Sequence, residues 1–256
     1  MLHPADPRLD ELFFRISAQR ARDHGDALGW TPLRGVPAPG YFALDRTAPA
    51  GLNGPNHVIL CIATGGHLMN LTELLRSNRS YRRFHEDQPV DEGTLRGLVE
   101  RTRLCPSSAN RQPLKYLLAC AAEDRAKIFP HLAWAGALAD WPGPAEGERP
   151  AGYIVVLGDI EISATFHVDS GIAAQSILLA AVEQGLGGCM VGSIDRDGLR
   201  KALRIPERFA IALVIALGKP QETVVLEDAR GPADVVYWRD QQGVHHVPKR
   251  PLEELL

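Results

Sequence analysis

The spacing of apolar and polar positions divides the chain near residue 69. Beyond it, helical and strand-like segments alternate densely. Leu95, Leu98 and Val99 recur at helical spacing behind an acidic start, which predicts a helix over 91–104. Residues 71–77 and 195–203 read as shorter helices. Apolar runs at 114–119, 153–157 and 210–217 predict buried strands, with a further strand at 235–238. The stretch 168–186 is apolar on nearly every side, so it predicts a long helix buried in the core or at an interface between subunits. Its small residues, Gly171, Ala173, Ala174, Ser176, Ala180 and Ala181, admit the close approach of another backbone.

Residues 1–68 read differently. They hold seven prolines and eight glycines, which interrupt regular structure, apart from a helix-like stretch at 9–22 and an apolar run at 58–62. Met69 stands directly before the first clear helix. Two readings follow: 1–68 is an upstream stretch wrongly joined to a protein that starts at Met69, or it is an extension that folds against the domain or a partner. The chain therefore divides into an N-terminal extension, 1–68, and a domain at 69–256.

Composition narrows the function classes. The 256 residues are 45% hydrophobic and 23% charged, an ordinary globular balance. A net charge of -3 gives no electrostatic case for nucleic acid or an anionic membrane as partner. No apolar run is long enough for a membrane span, and the first residues lack the basic flank and apolar core of a secretory signal. Cys61, Cys105, Cys120 and Cys189 are scattered without metal-ligand spacing, which fits reduced thiols in a cytoplasmic protein and no zinc site. His245 and His246 have no carboxylate or cysteine at ligand spacing and read as surface or strand histidines. No metal site is expected.

Four polar or glycine-rich segments carry the chemistry. Arg79, Arg82 and Arg83 follow Asn78 in a cluster with Ser80. Alone, such a cluster is more often a solvated helix end, but arginine's planar fork also matches phosphate oxygens. Pro106-Ser107-Ser108-Ala109-Asn110-Arg111-Gln112-Pro113 alone says only turn. Gly185 or Gly187 suits a helix C-terminus. Lys249 and Arg250, in Val247-Pro248-Lys249-Arg250-Pro251, alone read as a solvated tail. Asp169 reads as a local cap or N-terminal charge of the long helix. No GxGxxG follows a strand, so a Rossmann nicotinamide domain is unsupported.

Taken together and in order, these segments resemble the FMN-dependent nitroreductase family. The first is similar to its R-x-S-x-[RK]-x-F motif and the second to P-S-S-x-N-x-Q-P. Residues 185–193 resemble the turn and strand after its central helix, and 247–251 its basic C-terminal motif. The match runs from Met69 to Leu256. Many members carry arginine where this chain has Asn78, which shifts the expected phosphate grip to Arg79.

The resemblance implies an α+β fold, a mixed β-sheet flanked by helices, in a homodimer. It implies FMN held by Arg79, Ser80, Arg82, Gly192, Ser193, Lys249 and Arg250 of one chain and by Pro106, Ser107, Ser108 and Asn110 of the other. Arg82 would border the pyrimidine edge of the flavin, and the Gly192 and Ser193 N–H groups would face its N5. The implied activity is NAD(P)H oxidation, with NADH or NADPH as donor and an electron-poor small molecule, such as a nitroaromatic or a quinone, as acceptor. No general acid or base is expected. The same scaffold also suits a flavin-binding dimer without turnover, or a reductive dehalogenase-like or flavin-fragmenting enzyme. Trp134, Leu138 and Trp141 would either form a lid over the flavin or pack on the domain.

Overall fold

A computed structural model describes residues 69–231 and 233–256; both readings of residues 1–68 fall outside the described residues. Helix α1, Leu71–Ser77, starts on a reciprocal cap. The Asn70 side chain accepts from Glu73 N at 3.1 Å, while Glu73 Oε2 accepts from Asn70 N at 2.7 Å. Helix α2, Glu92–Glu100, is capped by Asp91, which accepts from Thr94 N at 2.7 Å, and it buries Leu95 and Leu98. It is shorter than the 91–104 pattern predicts. From Glu100 to Leu104 no residue is buried, Leu104 lies in solvent, and Arg101–Leu104 tighten into a 3₁₀ turn.

The central sheet has β1 (Leu114–Ala119), β2 (Gly152–Asp159), β3 (Gly187–Val191) and β4 (Phe209–Gly218), in the order β1-β2-β4-β3. Every residue of β2 is buried, because both of its faces are covered. On one face Ile154, Val156, Ile215 and Leu217 meet Ala174, Ile177, Leu178 and Ala181 of helix α4, His167–Glu183. The other face carries Tyr153, Val155, Leu157 and Val214. These pack with Ile128 of helix α3 (Ala122–Ile128) and Leu199 of helix α5 (Arg196–Leu203). The long apolar helix is therefore a core helix, and the period-2 alternation of β2 and β4 feeds two cores at once.

All pairings in this sheet are antiparallel. Parallel pairing enters in a second, smaller sheet, order β5-β7-β6, built from β5 (Val224–Asp228), β6 (Trp238–Arg239) and β7 (His245–Lys249); β5 runs parallel to β7. The architecture is α+β, as the resemblance implies. The strand expected at 235–238 shrinks to a two-residue edge, with Val235 and Val236 left exposed.

The glycines after α4 divide their work. Gly185, at φ +70°, takes the left-handed position that ends the helix. Gly187 and Gly188 serve close approach instead. A Cβ on Gly188 would stand 2.4 Å from the Ala216 carbonyl, and one on Gly187 would stand 2.5 Å from the Tyr81 ring. That space lets the segment around Ser80 dock on β3, where Tyr81 N donates to Gly188 O at 3.1 Å.

The small sheet is fastened by His246. Its Nδ1 meets Glu227, its Nε2 lies 3.3 Å from Asp240, and its ring stacks on Trp238 with centroids 4.0 Å apart. The Glu227 hydrogen bond, helped by Asp240, raises the imidazole above its ordinary value. Its stabilisation is then fully present below about pH 6.5 and is lost as pH rises through the higher folded value. Amide exchange in β5 and β7, corrected for intrinsic rate, should accelerate from pH 6 to pH 9, and His246→Gln should flatten that profile. A flat profile in the unaltered protein would refute the role.

Candidate functional site

A cavity of about 740 Å³ opens between the segment after α1 and the small sheet. Arg79, Ser80, Arg82, Lys249 and Arg250 line it together with Asn78, Tyr237, His245 and the apolar Val235, Val247 and Leu255. Four of the lining residues are cations and none is a carboxylate. Arg79 is fixed by a bond from Nη2 to Leu75 O at the end of α1, 2.7 Å, while its buried Nε has no partner among the described residues. Burial pulls the Arg79 guanidinium below its usual value, although not out of the charged state. The arrangement suits a dianionic group, because several cations converge in a lining without a carboxylate, although Arg250 also has Glu254 beside it at 4.0 Å.

Beneath the cavity lies a buried carboxylate. Glu222, with no exposed side-chain area, accepts from the backbone N–H groups of Arg82 and Arg83, the latter at 3.2 Å. Its other oxygen accepts from Arg239 Nη2 at 2.9 Å, and Arg239 in turn lies over the Trp141 ring. The two neighbouring arginines are thereby sent opposite ways. Arg83 pairs with Glu148, while Arg82 reaches the cavity, its guanidinium 5.0 Å from the Tyr237 ring centroid. The Tyr237 hydroxyl accepts from Ala137 N at 3.2 Å, tying residues 131–148 to the site.

The Pro106–Pro113 segment lies elsewhere in the chain. Pro106 and Ser107 line a separate cavity of about 180 Å³ with Tyr116, Asp169 and Ala173; it shares no residue with the first. Ser108 and Asn110 sit in the adjoining 3₁₀ turn and are exposed. Three residues here without the licence of glycine adopt left-handed backbone: Ala109 at φ 49°, Asn110 at 53° and Gln112 at 51°. Asp169 is what holds them. It sits in the first turn of α4, as an N-terminal charge should. Its buried carboxylate, however, does not cap its own helix; it accepts from Ser107 Oγ and from Ser108 N, both at 2.9 Å. Ser107 Oγ in turn accepts from Gln112 N at 2.9 Å, closing the loop.

A model of the nitroreductase family matches residues 75–219. The chain belongs to the nitroreductase family. It is 30% identical over 170 residues to a putative NADH dehydrogenase/NAD(P)H nitroreductase of Methanothermobacter thermautotrophicus, covering 64% of this chain and 84% of that protein. It is 27% identical over 190 residues to the NADPH-flavin oxidoreductase of Vibrio harveyi, 67% of this chain and 74% of that one. Among solved structures, a putative nitroreductase of Exiguobacterium sibiricum in complex with FMN aligns with a TM-score of 0.51 at 18% identity. That alignment covers 60% of this chain and 90% of that one, and at this identity the likeness is one of fold.

In this nitroreductase-family chain the first and fourth motifs converge on one cavity, although some 170 residues separate Arg79 from Lys249. The second motif does not join them within the chain. Gly192 and Ser193 follow β3 and are exposed. Gly192 has open space beside its Cα, and Ser193 O accepts from Ala133 N at 2.9 Å. Trp134 is a core residue and Trp141 packs against the same cluster, so packing on the domain describes both. Among the described residues no group of three metal-ligating side chains forms, and no helix is long and apolar enough to cross a membrane. Sequence reading missed Glu222, Tyr237 and the second role of Asp169. For Glu222 the signal was present but faint: a lone acid between the end of β4 and a short strand.

Proposed function

We propose that this chain binds FMN in the cation-lined cavity and acts, as a homodimer, in NAD(P)H-dependent reduction of an electron-poor acceptor such as a nitroaromatic or a quinone. The observation that carries the reading is the convergence of Arg79, Arg82, Lys249 and Arg250 on one cavity with no carboxylate in its lining. Arg79, Ser80, Lys249 and Arg250 would hold the phosphate, and Arg82 would face the pyrimidine edge. Gly192 and Ser193 would offer backbone N–H groups to the ring. FMN, when bound, supplies hydride and electron transfer; the protein supplies grip, orientation and charge. Pro106 and Ser107, on a separate cavity of the same chain, and Ser108 and Asn110, in the adjoining turn, would reach the flavin from the second subunit of a two-fold dimer. The relatives' printed names, NAD(P)H nitroreductase and NADPH-flavin oxidoreductase, support a nicotinamide donor.

The purified protein should be yellow, with flavin absorbance, and should oxidise NADH or NADPH when a quinone is present. Arg79→Ala and Lys249→Ala should each weaken FMN binding about tenfold, since a charge-assisted contact to phosphate contributes roughly 1.5–3 kcal/mol. Unchanged FMN titrations in both variants would reject this cavity as the phosphate site. Flavin binding without NAD(P)H oxidation would mark a binding dimer without turnover.

A further inference from the structure

Among the described residues the Arg82 guanidinium is held without a counter-charge. Its Nη1 donates to Ser80 O at 3.2 Å and points at His245 Nε2, also at 3.2 Å, while Tyr237 lies beneath it. Glu222, the nearest buried acid, spends its oxygens on two backbone N–H groups and on Arg239. Among the described residues no carboxylate meets the Arg82 guanidinium, whereas its neighbour Arg83 is paired with Glu148. An arginine N–H can only donate, so His245 Nε2 must accept and its proton must sit on Nδ1. Among the described residues Nδ1 is buried without a partner, and the residue is 1% exposed, so no second hydrogen bond competes with Nε2 for the orientation of the ring.

We propose that His245 is a positioning residue, which fixes the Arg82 guanidinium toward the ligand cavity through its Nε2 acceptor and leaves the arginine's positive charge intact for the ligand. The inference rests on the flavin reading above and adds a determinant of how strongly the reduced cofactor is held. Packing supports it from every side: the Tyr237 ring lies 5.2 Å from the imidazole, and the His245 backbone N–H is anchored to Thr223 O at 2.9 Å. The charged groups facing the ring are Arg82, Arg239 and His246; with burial as the leading cause, they push the imidazole down to about 4, so it stays an acceptor at neutral pH. A carboxylate at this position would hold Arg82 as well, but it would cancel the charge that an anionic reduced flavin needs.

Two measurements test this. In the flavin-free full-length protein, nitrogen-15 NMR of the histidine rings at pH 7 should show His245 neutral and protonated on Nδ1; an Nε2–H tautomer or a charged ring would overturn the proposal whatever the protein binds. In anaerobic titrations, the ratio of the Kd for reduced FMN to that for oxidised FMN should rise about tenfold in His245→Leu and in His245→Glu. It should stay within about twofold in His245→Gln, whose amide oxygen can take the place of Nε2. Arg82→Leu is the control. If Arg82→Leu raises the ratio and His245→Leu and His245→Glu do not, His245 is only a packing residue and the proposal fails. If Arg82→Leu leaves the ratio unchanged in a protein that binds FMN, the placement of Arg82 beside the flavin fails instead. Should the leucine variant not fold, the glutamate and glutamine pair still decides.

Discussion

Glu222→Ala should be the most damaging single change in the site, lowering stability by about 3–5 kcal/mol. The carboxylate is fully buried and holds three donors: the N–H groups of Arg82 and Arg83 and the Arg239 guanidinium. Removing it leaves Arg239, itself largely buried, as an uncompensated charge, and frees the segment that carries Arg82. For a domain of this size that loss corresponds to a fall in Tm of roughly 10 °C or more. Glu222→Gln should fall between, since its amide oxygen can still accept from the two backbone groups while its NH₂ confronts Arg239. Thermal unfolding followed by circular dichroism gives the answer, and a Tm within 2 °C or so of the unaltered protein would mean that Glu222 does not organise the site.

Asp169→Ala should come next, with a loss of roughly 3 kcal/mol from two hydrogen bonds to a charged acceptor. Its effect should be local as well as global. Without the carboxylate, Ser107 and Ser108 lose the anchor that holds Ala109, Asn110 and Gln112 in left-handed backbone. We expect faster amide exchange across 107–112 and weaker FMN binding, even in a sample cooled until it is fully folded. Asp169→Asn keeps one acceptor for the Ser108 N–H and should cost less than half as much. If the alanine variant shows unchanged exchange in the loop, Asp169 is not its clasp.

Much of this molecule was legible in its sequence, for identifiable reasons. The helix at 71–77 and the strand at 114–119 keep their expected bounds, and β2 and β4 extend one or two residues beyond each end of their apolar runs. Burial on two faces writes itself as an uninterrupted apolar stretch, and β2 is such a stretch. The small sheet was harder to read, because β5, β6 and β7 are short, half-exposed and mixed in polarity, and His245–Lys249 resembles a solvated tail. The basic residues of the site stood out by local clustering. Their buried organisers did not, since Asp169 and Glu222 meet their partners across 61 and 140 positions, and a carboxylate in a row of letters does not announce which loop it will hold. The helix at 122–128 was missed because charged residues, Glu123, Asp124, Arg125 and Lys127, fill four of its seven positions and only Ile128 is buried.

The loop at 107–112 uses alanine, asparagine and glutamine where glycine would be unstrained. Each non-glycine residue in that conformation carries a penalty on the order of 1 kcal/mol. Glycine would remove it, but would also let the segment sample many other shapes in the folded and the unfolded chain alike. The sequence therefore trades stability for preorganisation. Ordering that a softer loop would undergo on meeting a ligand or a second subunit is here completed during folding, and a docking molecule loses correspondingly less entropy to it.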